Sequence, residues 1–130
     1  MQTKALMTCS AIAMFVFGIS LTFAPRELLS YTGSTAQPLT LVIVQAAGAL
    51  YLGFAMLNWM AKDNLIGGIY SRPVALGNLV HFFMVAITII KTVIAGHHEA
   101  AVFVVAFLYC LFAVLFALVV FGSPSRHARA

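Results

Sequence analysis

Few side chains in the long apolar stretches of this sequence could do chemistry, and those few are polar, with no acid among them. Gln45 and Asn58 interrupt one stretch, and Asn78, His81, Thr88, Lys91 and Thr92 interrupt the next. The missing Asp and Glu argue against cation exchange through a buried carboxylate and against carboxylate isomerase chemistry on sterol-like substrates. Both need a carboxyl group that holds and releases a proton away from water. His81 is the only histidine inside such a stretch. Its imidazole could form a packing hydrogen bond, line a pocket, or touch a haem, a metal or a quinone. A buried b-type haem takes two histidines at one depth on facing helices. His97 lies about 24 Å further along a helix axis at 1.5 Å per residue, so only a symmetric dimer pairing His81 with itself would supply both ligands.

The other candidate ligands read as structural. His97, His98 and Glu99 are adjacent, and neighbours on a turn diverge where metal sites use wider spacing, so a solvated cap is expected there. Cys9 and Cys110 have neither redox nor metal spacing and read as small packing residues with no disulfide. No catalytic residue, metal site or cofactor is expected. The loop with Gly67 and Gly68 could hold a lipid phosphate on its backbone N–H groups, although a plain turn with positive flanks is the simpler reading.

These residues need elements to position them, and the composition limits the choice. The chain has 130 residues, 63% apolar and 8% charged, against about 25% charged in a soluble domain. Such a surface excludes soluble enzymes, nucleic-acid binders and disordered tails. Four segments, 5–24, 39–61, 74–95 and 100–121, are long enough to cross a hydrocarbon core of about 30 Å as helices, and none alternates as a barrel strand would. The expectation is an all-α polytopic membrane protein, one antiparallel bundle of four transmembrane helices over 1–130.

Punctuation agrees with that division. Pro25 follows the first segment, Pro38 precedes the second, Pro73 opens the third, and Gly122 with Pro124 closes the fourth. Leu28, Leu29 and Tyr31 beside Arg26 and Glu27 suit a short interfacial helix in the first connection. A cleaved signal peptide is the alternative for the first segment, but its length and Pro25 after the candidate cleavage point at Ala24 favour a retained span. Lys4, Lys62, Arg72, Arg126 and Arg129 fall on one side, against Arg26 and Lys91 on the other, which places both termini in the cytoplasm. The net charge of +4 is explained by that topology and by anionic lipid rather than by an acidic substrate.

Helical spacing puts Asn78, His81, Val85, Thr88 and Thr92 on one face, which should point at protein or at a water-filled pocket. Equal depth on antiparallel helices then predicts that the second and third spans meet through Asn58 with Asn78 and through Gln45 with Thr88 or Lys91. Small residues mark close helix packing. Ala49 with Gly53, and a seam of Ala106, Cys110, Ala113 and Ala117, are the candidates, leaving Phe103, Phe107, Phe112 and Phe116 to face lipid or a partner.

A first helix ending Phe23-Ala24-Pro25, the Leu28-Leu29 segment after it, and a second helix with Ala47-Gly48-Ala49-Leu50 and Gly53 resemble the DoxX-like group of small bacterial four-helix membrane proteins. The resemblance implies four helices in a bacterial inner (plasma) membrane and an accessory role beside membrane oxidoreductases, and it implies no catalytic residue. Three functional readings follow. The first is a non-catalytic accessory or scaffold subunit whose partners are membrane lipids and other membrane subunits or itself. The second is a homo-oligomeric transporter or channel lined by the third helix. The third is a lipid, quinone or haem binder using His81.

Overall fold

The computed structural model describes residues 3–64, 71–96 and 99–122, and among these every regular element is a helix. In order they are α1 (Thr3–Phe23), α2 (Pro25–Tyr31), α3 (Pro38–Ala61), α4 (Arg72–Ile94) and α5 (Ala100–Phe121). All but α2 are long and apolar enough to cross a membrane, at 21, 24, 23 and 22 residues. At 1.5 Å per residue they extend about 32 to 36 Å, and only a helix satisfies its own backbone over that distance in lipid. The four spans start and stop within two residues of the expected limits. The Gly67-Gly68 loop, Tyr70, His97, His98, Arg126 and Arg129 lie outside the described residues.

Proline and glycine set the ends. Pro25 and Pro38 occupy the first turns of α2 and α3, where no backbone N–H is needed. Gly33 (φ 67°) and Gly96 (φ 101°) stand just past the C-caps of α2 and α4, in the left-handed conformation that lets the chain leave a helix. The short helix expected after the first span is α2.

The chain divides into two compact units, 2–63 and 64–130. In the first, α1 packs antiparallel on α3, with α2 against both. Lys4 Nζ meets Asp63 Oδ1 at 2.6 Å at one end, and Gln45 Nε2 reaches the Thr22 carbonyl at 3.4 Å at the other. The facing stripes are Met7, Ala11, Met14 and Gly18 on α1 and Gly48, Ala55 and Asn58 on α3. Their spacing of three, four and seven keeps each on one side of its helix.

The close approach in this unit is made by Gly18 and Gly48. A Cβ on Gly48 would stand 2.8 Å from the Thr22 backbone nitrogen and 3.0 Å from the Gly18 carbonyl oxygen, and one on Gly18 would meet the Leu52 nitrogen at 3.0 Å. Ala49 and Gly53, the small pair expected at a close helix contact within the chain or between copies, are exposed and take no part in the contact of α1 with α3. A Cβ on Gly53 meets nothing within 4 Å. One residue turns a helix face by about 100°, so the stripe carrying Ala55 and Asn58 brings Gly48 to α1 and carries Ala49 away.

In the second unit α4 packs antiparallel on α5 around Phe82. Its ring stacks on Phe112 at 4.7 Å and lies 5.7 Å from Phe116 and 5.4 Å from Tyr109. Phe103 and Phe107 are exposed, but Phe112 and Phe116 are buried, contrary to the expectation that all four face outward. Of the expected α5 seam, Ala113 is buried and Ala106, Cys110 and Ala117 are half-buried. The small residues that make room are on α4 instead, where Ala75 and Ala86 are buried and leave space for the rings of α5.

Two outcomes follow. Gly48→Ala must push α1 from α3 and should destabilise the first unit by about 1 to 3 kcal/mol. Gly53→Ala should be neutral or stabilising by up to about 1 kcal/mol through helix propensity; parallel denaturant titrations in detergent read the difference. Phe82→Ala opens a void on the order of 100 Å³ and should cost about 3 to 5 kcal/mol in the same assay, with Phe82→Leu costing less.

Candidate functional site

The polar residues of the first unit form a short chain of donors and acceptors. Asn58 Nδ2 donates to Ser10 Oγ at 3.1 Å, with Met14 Sδ 3.9 Å from the same nitrogen. The Ser10 hydroxyl in turn donates to the Met7 carbonyl at 3.0 Å. Ser10, Met14 and Asn58 are fully buried. An amide that would be costly in lipid is thus spent on holding α3 to α1. Near the other end, Thr22 Oγ1 is buried beside Gly48 without a hydrogen-bond partner.

The ends of this unit carry the charge. Lys4 holds the Asp63 carboxyl below its ordinary range through their hydrogen bond, helped by the positive charge of Lys4 and of Lys62. A depressed carboxylate stabilises above its unfolded pKa, so this exposed pair is intact at neutral pH and is lost as pH falls through the lowered value. Lys62 Nζ sits 3.2 Å from the centre of the Trp59 ring, a cation over an aromatic face.

In the second unit the polar stripe of α4 drifts off its packing face. Asn78 is fully buried and its Nδ2 donates to the Val74 carbonyl at 2.9 Å. Thr88 and Lys91 are exposed. The Thr88 hydroxyl donates to the Met84 carbonyl at 3.0 Å, and that of Thr92 to the Thr88 carbonyl at 3.1 Å. Within its own unit Gln45 turns to α1, and within its own unit Thr88 bonds its own helix. A hydroxyl four residues after a carbonyl reaches it at almost no entropic cost. His81 is half-buried, its ring 6.0 Å from that of Tyr109 and 5.3 Å from that of Phe82.

Ser10, Gly18 and Tyr109 belong to these contacts and are missing from the sequence reading, where Gly48 stands only within the Ala47-Gly48-Ala49-Leu50 segment and not as a packing residue. Ser10 was legible, because it stands near the Lys4 end of its span as Asn58 stands near the Lys62 end of its own, and equal depth pairs them. Tyr109 carries no such signal, since an aromatic residue in an apolar helix reads the same inside and out. Cys9 is exposed on α1 and Cys110 half-buried on α5, both as free thiols. Among the described residues no three or more His, Cys, Asp or Glu side chains gather as a metal site would require.

Together these features define a multi-pass, all-α membrane protein in which Ser10, Gln45 and Asn58 bond helix to helix and Asn78, Thr88 and Thr92 bond their own helix. No protein-family model matches the chain, and neither a curated protein nor a solved structure matches it.

The Ser10–Asn58 contact is measurable by a double-mutant cycle. Ser10→Ala and Asn58→Ala should each weaken the first unit, and their coupling should come to about 0.6 to 1.7 kcal/mol, the range of interhelical hydrogen bonds in lipid. A coupling near zero would show that the two side chains contribute separately.

Proposed function

We propose that this protein is a non-catalytic membrane subunit that serves as an accessory or scaffold for a companion membrane protein. The observation that carries the reading is the outer face of α5. Phe103, Phe107, Leu111, Val114, Leu118 and Phe121 are all exposed and recur at steps of three and four along the whole helix. That is a continuous apolar stripe with side chains large enough to interlock with another helix. Two of the polar side chains in the spans are engaged in helix contacts, Asn58 on Ser10 and Thr88 on the Met84 carbonyl.

The DoxX-like resemblance supports the same role and a bacterial inner membrane. Lys4 and Lys62 lie at one end of the first unit and Arg26 at the other, which supports cytoplasmic termini through the bias of basic residues.

Native mass spectrometry in mild detergent, with an absorbance spectrum of the same sample, tests this. A defined companion should accompany the chain, and Phe107→Ala with Leu111→Ala should release it while leaving helicity unchanged. A chain that purifies alone and is active alone would overturn the reading, and a tightly bound chromophore would move the role to His81.

A further inference from the structure

Between α1 and α3 lies an open apolar groove of about 610 Å³, within the range of small-ligand sites. Ile12, Phe15, Ile19 and Phe23 form one wall, and Leu52, Met56 and Trp59 form the other. From Ala11 to Phe23 the groove follows α1 for about 18 Å, close to the depth of one leaflet of a bilayer whose hydrocarbon core is about 30 Å thick. Its lining is apolar throughout, so only a hydrocarbon chain or another apolar surface gains by entering it.

One end of the groove is chemically distinct. Trp59 lines it, and the Lys62 ammonium sits 3.2 Å from the centre of that ring. Lys4 and Lys62 share this end with one carboxylate, Asp63, which is ion-paired with Lys4 at 2.6 Å and also feels the charge of Lys62, so the end keeps one net positive charge, and half-buried Lys62 is the cation in contact with the groove's own Trp59. An apolar channel of one leaflet's depth, with a net positive charge beside the tryptophan at one end, complements a single amphiphile of hydrocarbon and negative headgroup.

We propose that this groove binds one acyl chain of an anionic phospholipid, with the lipid phosphate held by Lys62 beside Trp59. The indole places an apolar body against the chain and its N–H at the headgroup level, as aromatic residues at membrane interfaces do. The proposal uses no residue of the α5 stripe and holds with or without a companion subunit.

Trp59 is the only tryptophan in the chain, so its fluorescence reports the groove alone. The protein is reconstituted into phosphatidylcholine vesicles containing a small fraction of phosphatidylglycerol or phosphatidylcholine with brominated acyl chains, which quench on contact. Brominated phosphatidylglycerol should quench at an about fivefold lower mole fraction than brominated phosphatidylcholine, the preference that one juxtamembrane lysine confers. Lys62→Gln should abolish the preference, and Lys62→Arg should keep it, with circular dichroism unchanged in both. Equal quenching by the two lipids would reduce the groove to ordinary lipid contact and overturn the proposal. Absence of quenching by either would show it covered by protein, and an unchanged preference in Lys62→Gln would remove Lys62 as the anchor; each of these also overturns it.

Discussion

Lipid gives two apolar helices no reason to prefer each other over hydrocarbon, so the fold depends on contacts that lipid cannot match. In the first unit that contact is backbone against backbone at Gly18 and Gly48, where neither position has room for a methyl group. Close approach brings the peptide groups of α1 and α3 within dispersion range and lets Asn58 reach Ser10 across the crossing. In the second unit the same problem has a different solution. Ala75 and Ala86 hollow one face of α4, and the rings of Phe112 and Phe116 enter the space beside Phe82. One unit is held by missing side chains, the other by large ones.

Membrane segments are the most legible feature of such a chain, because their length is imposed by the bilayer and their ends by proline, glycine and charge. Pro38, Pro73 and Gly96 stand where α3 begins, where α4 begins and where α4 ends. Helix faces are harder to read, because apolar residues cover every side and the usual contrast between core and water is absent. Ala49 and Gly53 carry the small-residue pattern as plainly as Gly48 does, and only the neighbouring Asn58 identifies the face that turns inward. Phe112 and Phe116 are buried while Phe103 and Phe107 are exposed on the same helix, a difference that hydropathy does not encode.

The polar residues divide along the same line. Depth along the membrane can be counted from the sequence, so Ser10 and Asn58 are a recoverable pair. Rotation about the helix axis cannot be counted in the same way, and the stripe from Asn78 to Thr92 shows the result: buried at its start, exposed at Thr88, with each threonine returned to its own backbone. Thr88 and Thr92 satisfy themselves on their own helix, whereas Asn58, with two donors and an acceptor to place, reaches across to Ser10 and holds two helices together.

The two interiors also differ in how they tolerate change over time. Around Gly48 every available substitution adds atoms, so the α1–α3 crossing can change only by moving the helix opposite, and Gly18 and Gly48, unlike Gly53, tolerate little replacement. Around Phe82 a lost methylene can be regained by a larger neighbour, because volume is exchangeable between α4 and α5. The helix crossing of α1 and α3 thus leaves a substitution nowhere to go, while the aromatic cluster of α4 and α5 can absorb one by an opposite change in a neighbour.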